Sequence, residues 1–207
     1  MYRYLRDPAA ISRRSLEMVR AEGDLARFPA PLQRVAARIA HAVGDVSILD
    51  DLAWSKNAAA AGHAALAAGA TILVDSAMAA AGVSRERLPA GNAVLCFLSD
   101  PAVSGIAAAQ STTRSAAAVE LWRPHLGGAV VAIGNAPTAL FHLLEIIVEG
   151  AADPAVVLGF PVGFVGAAEA KAVLAAHGDG IEFITLHGRR GGSAIAAAVV
   201  NALASPE

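Results

Sequence analysis

Leu126-Gly-Gly-Ala-Val-Val-Ala-Ile-Gly-Asn-Ala-Pro-Thr-Ala-Leu-Phe-His-Leu-Leu144 lies within the longest stretch of the chain without an Asp, Glu, Lys or Arg, and the way it divides decides the fold. A helix crossing a membrane needs about 20 uninterrupted apolar residues. Gly134-Asn135-Ala136-Pro137 interrupts this one with turn-forming residues, so the stretch reads as a strand, Ala129–Gly134, a short loop, and a helix, Pro137–Glu149. A strand passing into a helix through a glycine turn is the building unit of a parallel sheet.

Four further runs have strand length: Thr71–Asp75, Ala93–Leu98, Ala155–Gly159 and Ile181–His187. None alternates with polar residues, as expected when helices cover both faces of a parallel sheet. Gly166–His177 reads as another crossover helix and Ser193–Leu203 as a final one. Three helices, near Pro8–Glu22, Pro31–Val43 and Asn57–Ala68, precede the sheet. The expected fold class is therefore α/β: an open, mainly parallel five-stranded sheet with helices on both faces and amino-terminal helices before it. Neither a repeat nor a linker divides the chain, and a single domain, 1–207, is expected.

Composition narrows the function. The chain is 56% hydrophobic and 16% charged, more apolar than a soluble domain usually is, so a subunit interface is a natural outlet for the excess. Mean hydropathy is +0.52. The opening MYRYLRDPAA is charged and lacks an apolar signal segment, which points to the cytoplasm and away from a membrane partner. Cys96 is the lone cysteine and sits in an apolar run, where core packing is its expected role. The six histidines show no zinc-like spacing, and no metal site is expected. A net charge of −2 argues against a nucleic-acid partner.

All basic residues except Lys56 and Lys171 are arginines, and Arg3, Arg6, Arg13, Arg14, Arg20, Arg27, Arg34 and Arg38 crowd the first 38 positions. Arginine clamps carboxylates with paired hydrogen bonds, so the cluster suits a polycarboxylate ligand. A GC-rich genome would also favour arginine over lysine.

In open α/β sheets the ligand cleft lies beyond the carboxyl ends of the strands. Three glycine-rich segments fall there: Gly134-Asn-Ala-Pro-Thr138, Gly159-Phe-Pro-Val-Gly-Phe-Val-Gly166 and Gly188-Arg-Arg-Gly-Gly-Ser193. Such turns can aim backbone N–H groups at an anion, or can simply be tight turns. None carries a dinucleotide or P-loop fingerprint. In the second helix, 100° steps place Leu32, Val35, Ala36, Ile39 and Val43 on one stripe and Arg34, Arg38 and His41 opposite. This polar face is either solvated or a cleft wall in which arginines hold carboxylates and an imidazole moves a proton.

Taken in order, Tyr4-Leu-Arg-Asp7 with Ile11 and Arg14-Ser15, Arg38-Ile-Ala-His41, Leu88-Pro-Ala-Gly-Asn92, Thr113-Arg-Ser-Ala-Ala117, Ile133-Gly-Asn-Ala-Pro-Thr-Ala-Leu-Phe141, Gly159-Phe-Pro-Val-Gly-Phe-Val-Gly-Ala-Ala168 and Gly188-Arg-Arg-Gly-Gly-Ser193 closely resemble the successive motifs of precorrin-8X methylmutases. The resemblance runs along nearly the whole chain. It implies an isomerase that moves a methyl group from carbon 11 to carbon 12 of precorrin-8X, giving hydrogenobyrinate, without a cofactor. It also implies a homodimer whose tetrapyrrole site is shared between subunits. His41 matches the family's catalytic histidine, and Ser15, Arg38 and Arg114 match residues near the substrate. Thr113 in the same motif, with Asn135, Gly163 and Ser193 of the glycine-rich turns, completes the expected substrate-binding set. Asp75-Ser-Ala-Met78 and Leu186-His187 depart from the family pattern.

The chemistry of the residues agrees with that resemblance. A methyl shift between neighbouring ring carbons calls for a proton donor and acceptor and for a firm grip on the ring, and one histidine can serve as both donor and acceptor. Three alternatives remain: a methylmutase acting on cobalt-precorrin-8, a non-catalytic tetrapyrrole carrier, and a nucleotide-binding α/β protein resting on the glycine turns alone. His142, within Leu140-Phe-His-Leu-Leu144, is expected in the core or an interface rather than in catalysis.

Overall fold

The computed structural model describes residues 2–176 and 180–205. Two helices open the chain. In α1 (Pro8–Glu22), Asp7 caps the first turn by accepting from the Ala10 N–H at 2.7 Å, and proline takes the first helical position. In α2 (Ala30–Val43), Leu32, Val35, Ala36 and Ile39 are buried as their spacing predicts. Val43 is not; it is 41% exposed, because the helix ends one residue later at Gly44, left-handed with φ 68°, and its last turn overhangs the core.

After a 3-10 turn, Val46–Asp51, come β1 (Leu52–Trp54), α3 (Ala58–Ala67), β2 (Ile72–Val74), α4 (Ala77–Gly82) and β3 (Val94–Leu95). Then follow α5 (Ala102–Ala109), α6 (Arg114–Glu120), β4 (Val130–Ile133), α7 (Pro137–Val148), β5 (Val156–Gly159), α8 (Ala167–Ala176), β6 (Phe183–Leu186) and α9 (Ser193–Ala204). The expected helix Gly166–His177 is α8, and His177 lies outside the described residues.

The sheet has six strands, in the order β1-β6-β5-β4-β2-β3, rather than the expected five. All neighbours are parallel except β1, which runs antiparallel to β6 with Leu52 opposite Leu186. Three residues carry no readable period, so β1 is defined by the free edge of β6 and not by its own pattern. The expected strand Ala93–Leu98 shrinks to Val94–Leu95, which pairs on one side only.

Alternate residues of each strand feed opposite cores. Val130, Ala132, Val156, Leu158 and Ile184 pack with α2, α3 and α9, whereas Val131, Ile133, Val157 and Phe183 pack with α7 and α8. Both faces are therefore dry, which explains the absent polar alternation. Cys96 is half-buried against the first core. His142 is not core: it is partly exposed, with Nε2 2.7 Å from Glu120 and Nδ1 3.0 Å from Glu145. Among the described residues no helix is long and apolar enough to cross a membrane.

Candidate active site

The topology reverses direction between β2 and β4, since β3 lies outside β2 and the later strands proceed the other way. That is where an open α/β sheet parts its loops. Here the gap is bridged by Asp75, which directly follows β2. Its carboxylate accepts from the N–H groups of Gly134 at 2.9 Å, Asn135 at 2.8 Å and Ala136 at 2.7 Å. Burial pushes the Asp75 carboxyl above the usual carboxylate range, while the three N–H donors pull against it.

Of the two readings of the glycine turns, the contacts here favour tight turns over open anion cradles. The amides at the start of α7 already hold an anion, an internal one. The Gly163 N–H donates to the Arg189 carbonyl and the Gly192 N–H to the Phe160 carbonyl. Gly134 and Gly191 are small because backbone lies against them: an added Cβ would come within 2.5 Å of Ser193 Cα and 2.4 Å of the Phe160 carbonyl oxygen, respectively. The loops pack on one another, and the glycines permit that approach.

The expected site residues fall into two groups. On the outer helices, Ser15 Oγ and His41 Nδ1 are 2.7 Å apart. Helical periodicity places both: Ser15 lies on the side of α1 that meets α2, and His41 on the last turn of α2. They line a cavity of about 170 Å³ together with Met18, Glu22, Asp45 and Val46. The Ser47 backbone N–H and hydroxyl, aided by Arg190, hold the Asp45 carboxyl below its ordinary range. Arg190 also grips Asp51 at 2.7 Å, which fixes the turn next to His41. Arg38, one turn before His41, is half-buried and lines an adjoining cavity of about 370 Å³.

The second group lies around the carboxyl end of β4. Thr113 caps α6 by accepting from the Ala116 N–H and meets Thr138 Oγ1 at 2.8 Å. Arg114 donates to the Leu98 carbonyl at 2.9 Å. Asn135 has its N–H on Asp75 and its side chain exposed. Gly163, with φ 140°, lies in the loop that exposes Phe164 and Val165. Ser193 does not join the expected set as an open contact: it is buried, 2.9 Å from Ser76 Oγ, and ties α9 to the residue after Asp75. Among the described residues no hydrogen bond joins the two groups. Asp75 escaped the sequence reading as a site residue, although a carboxylate closing an apolar strand was its visible signal.

A mainly parallel α/β sheet with loops crowded at its carboxyl edge, and a histidine in contact with a serine beside an arginine-lined cavity, give the class of the fold and the polar groups of the candidate site. The precorrin-8X methylmutase (CbiC) family model matches residues 10–206. The chain is 57% identical to a precorrin-8X methylmutase of Pseudomonas aeruginosa, over 99% of each chain, and 52% identical to one of a Sinorhizobium species, over 99% of this chain and 98% of that one. Its fold matches the crystal structure of a precorrin-8X methylmutase from Thermus thermophilus with a TM-score of 0.86 at 41% identity, covering 95% of this chain and 94% of the other. The chain belongs to the precorrin-8X methylmutase family and is an isomerase of cobalamin biosynthesis.

Proposed function

We propose that this isomerase moves a methyl group from carbon 11 to carbon 12 of metal-free precorrin-8X, yielding hydrogenobyrinate, with His41 as general acid and base. The observation that carries the assignment of His41 is its 2.7 Å contact with Ser15 inside a cavity. In the proposed cycle the imidazolium gives its Nε2 proton to a ring nitrogen near the migrating methyl. Its Nδ1–H donates to Ser15 Oγ throughout, so the neutral ring is left as the Nδ1–H tautomer and Nε2 can take the proton back. Drawing electrons toward the protonated nitrogen lowers the barrier to migration. Acid–base catalysis of this kind contributes roughly 10²–10⁴-fold, and holding one conformer of the macrocycle supplies more.

Arg38 and Arg114, with Thr113, Asn135 and Gly163, are the proposed substrate contacts. A homodimer would complete the site by setting the β4 group of one subunit against the helix group of its partner. That no hydrogen bond joins the two groups among the described residues supports this arrangement. So do the exposed apolar side chains Tyr2, Tyr4, Leu5, Met18, Phe164 and Val165. The cytoplasm is the proposed compartment, and a lone cysteine suits its reducing conditions.

The metal-free substrate is preferred over cobalt-precorrin-8 because relatives named for the cobalt substrate, from Priestia megaterium and Salmonella typhimurium, are 34% and 37% identical, well below those named for precorrin-8X. Purified protein incubated with precorrin-8X should change the visible spectrum while the product mass stays constant. Conversion of the cobalt-loaded ring alone would overturn the substrate choice. A His41→Ala variant with wild-type turnover would overturn the catalytic assignment, and binding without turnover in the wild type would mark a carrier.

A further inference from the structure

Asp75 is a buried acid that the proposed cycle does not use, only 3% exposed and set directly after β2 where the strand order reverses. Helix α7, beside it, has no cap of its own. Its cap position is Ala136, whose methyl group accepts no hydrogen bond, and Pro137 has no N–H. Asp75 supplies the acceptor from another strand: Oδ2 takes the Asn135 and Ala136 N–H groups, and Oδ1 takes that of Gly134. The next residue continues the tether. Ser76 caps α4 by accepting from the Ala79 N–H at 3.2 Å and meets Ser193 Oγ at the start of α9 at 2.9 Å. One dipeptide thus fastens the loops that follow β2, β4 and β6.

Taking a carboxylate out of water is costly, and neighbouring helices are capped without that cost, α4 by the Ser76 hydroxyl and α6 by that of Thr113. What the charge adds at α7 is strength and direction, since hydrogen bonds to an ionised acceptor are roughly twice as strong as neutral ones and three together hold the turn in one conformation. With those three N–H groups taken, they are closed to an acidic arm of a ligand. The exposed group that the turn presents is the Asn135 side chain, whose amide can donate to a carboxylate. We propose that Asp75 is a positioning residue for substrate binding, which fixes the Gly134–Ala136 turn so that the Asn135 side chain meets the ring, an assignment that rests on the tetrapyrrole reading of the site.

The test compares wild type, Asp75→Asn, Asn135→Ala and the double variant in turnover of precorrin-8X and in titration with hydrogenobyrinate, with the folded fraction of each measured by circular dichroism. Asp75→Asn keeps the side chain's shape but sets an NH2 group against N–H donors. It should raise KM and the hydrogenobyrinate Kd roughly 10-fold with a smaller fall in kcat, and adding it to Asn135→Ala should cost less than about 2-fold more. A variant that merely folds less well would lose kcat in proportion to its folded fraction and keep the wild-type KM, and that result would overturn the proposal. So would effects that multiply in the double variant, because Asp75 would then act independently of Asn135. Amide exchange in the wild type needs no variant to fold: saturating hydrogenobyrinate should slow exchange at Gly134, Asn135 and Ala136 about 10-fold or more, and unchanged exchange would refute the link between turn and ring. Any of these refutations alongside intact wild-type turnover would spare the enzymatic reading, whereas a wild type that neither binds hydrogenobyrinate nor converts precorrin-8X would overturn both.

Discussion

Lys171, in α8, offers a direct probe of the energetics at the carboxyl edge of the sheet. It is fully buried, and its ammonium donates to the carbonyl oxygen of Arg190, the residue whose guanidinium holds Asp45 and Asp51. Burial lowers its pKa from 10.5 to about 8, and Asp51 offsets part of that shift. Between those two values the unfolded chain binds more protons at this position than the folded chain does. Stability therefore rises with pH across the interval and falls again as pH drops through about 8. The full displacement corresponds to at most about 3 kcal/mol, and relaxation around the ammonium reduces the observable part to about 1–3 kcal/mol. Urea denaturation of the wild type and of Lys171→Met, at fixed ionic strength and at intervals from pH 7 to 11, isolates the effect. The wild type should gain about 1–3 kcal/mol relative to the variant between pH 8 and 10.5. Parallel stability profiles for the two proteins over that interval would refute the reasoning, because they would place the lysine's titration outside the folding equilibrium.

Three further outcomes are expected. Gly134→Ala sets a Cβ 2.5 Å from the Ser193 backbone and should cost about 3 kcal/mol or more, whereas Gly44→Ala, at φ 68° with nothing within 4 Å, should cost about 1 kcal/mol; calorimetry that reverses this order would contradict the packing account. Asp75→Ala strands three N–H donors and should cost at least about 3 kcal/mol, with faster amide exchange at Gly134, Asn135 and Ala136; unchanged exchange there would show that the carboxylate does not hold the loop. Ser15→Ala frees the His41 ring and should lower kcat roughly 10-fold with little change in KM. An altered KM at constant kcat would instead assign Ser15 to substrate binding.

Much of the fold is legible because one period suffices to find a helix or a buried strand. The 3.6-residue spacing in α2 identifies Leu32, Val35, Ala36 and Ile39 as buried, and the unbroken apolar runs of β4, β5 and β6 announce a sheet covered on both faces. The same spacing brings Arg34, Arg38 and His41 to one face before any coordinate is known, and Ser15 enters through its motif. The reading fails where conformation depends on distant partners. Val43 follows the period but overhangs the core, and β1 exists through pairing with β6, more than a hundred residues away in the chain.

The sequence by itself determined the α/β class, the helices flanking the sheet, the family and the histidine-bearing face, since each depends on residues near one another in the chain or on ordered motifs. Only the tertiary structure decided what those residues meet. It chose close-packed turns over anion cradles for the glycine loops, gave the amides before α7 to Asp75 and buried Ser193 against Ser76. It also set Arg114 on the Leu98 carbonyl and gathered Arg20, Arg34 and Arg38 around one cavity. The physical reason is the range of the forces: local periodicity fixes which face a side chain takes, whereas its partners are set by how several elements pack together.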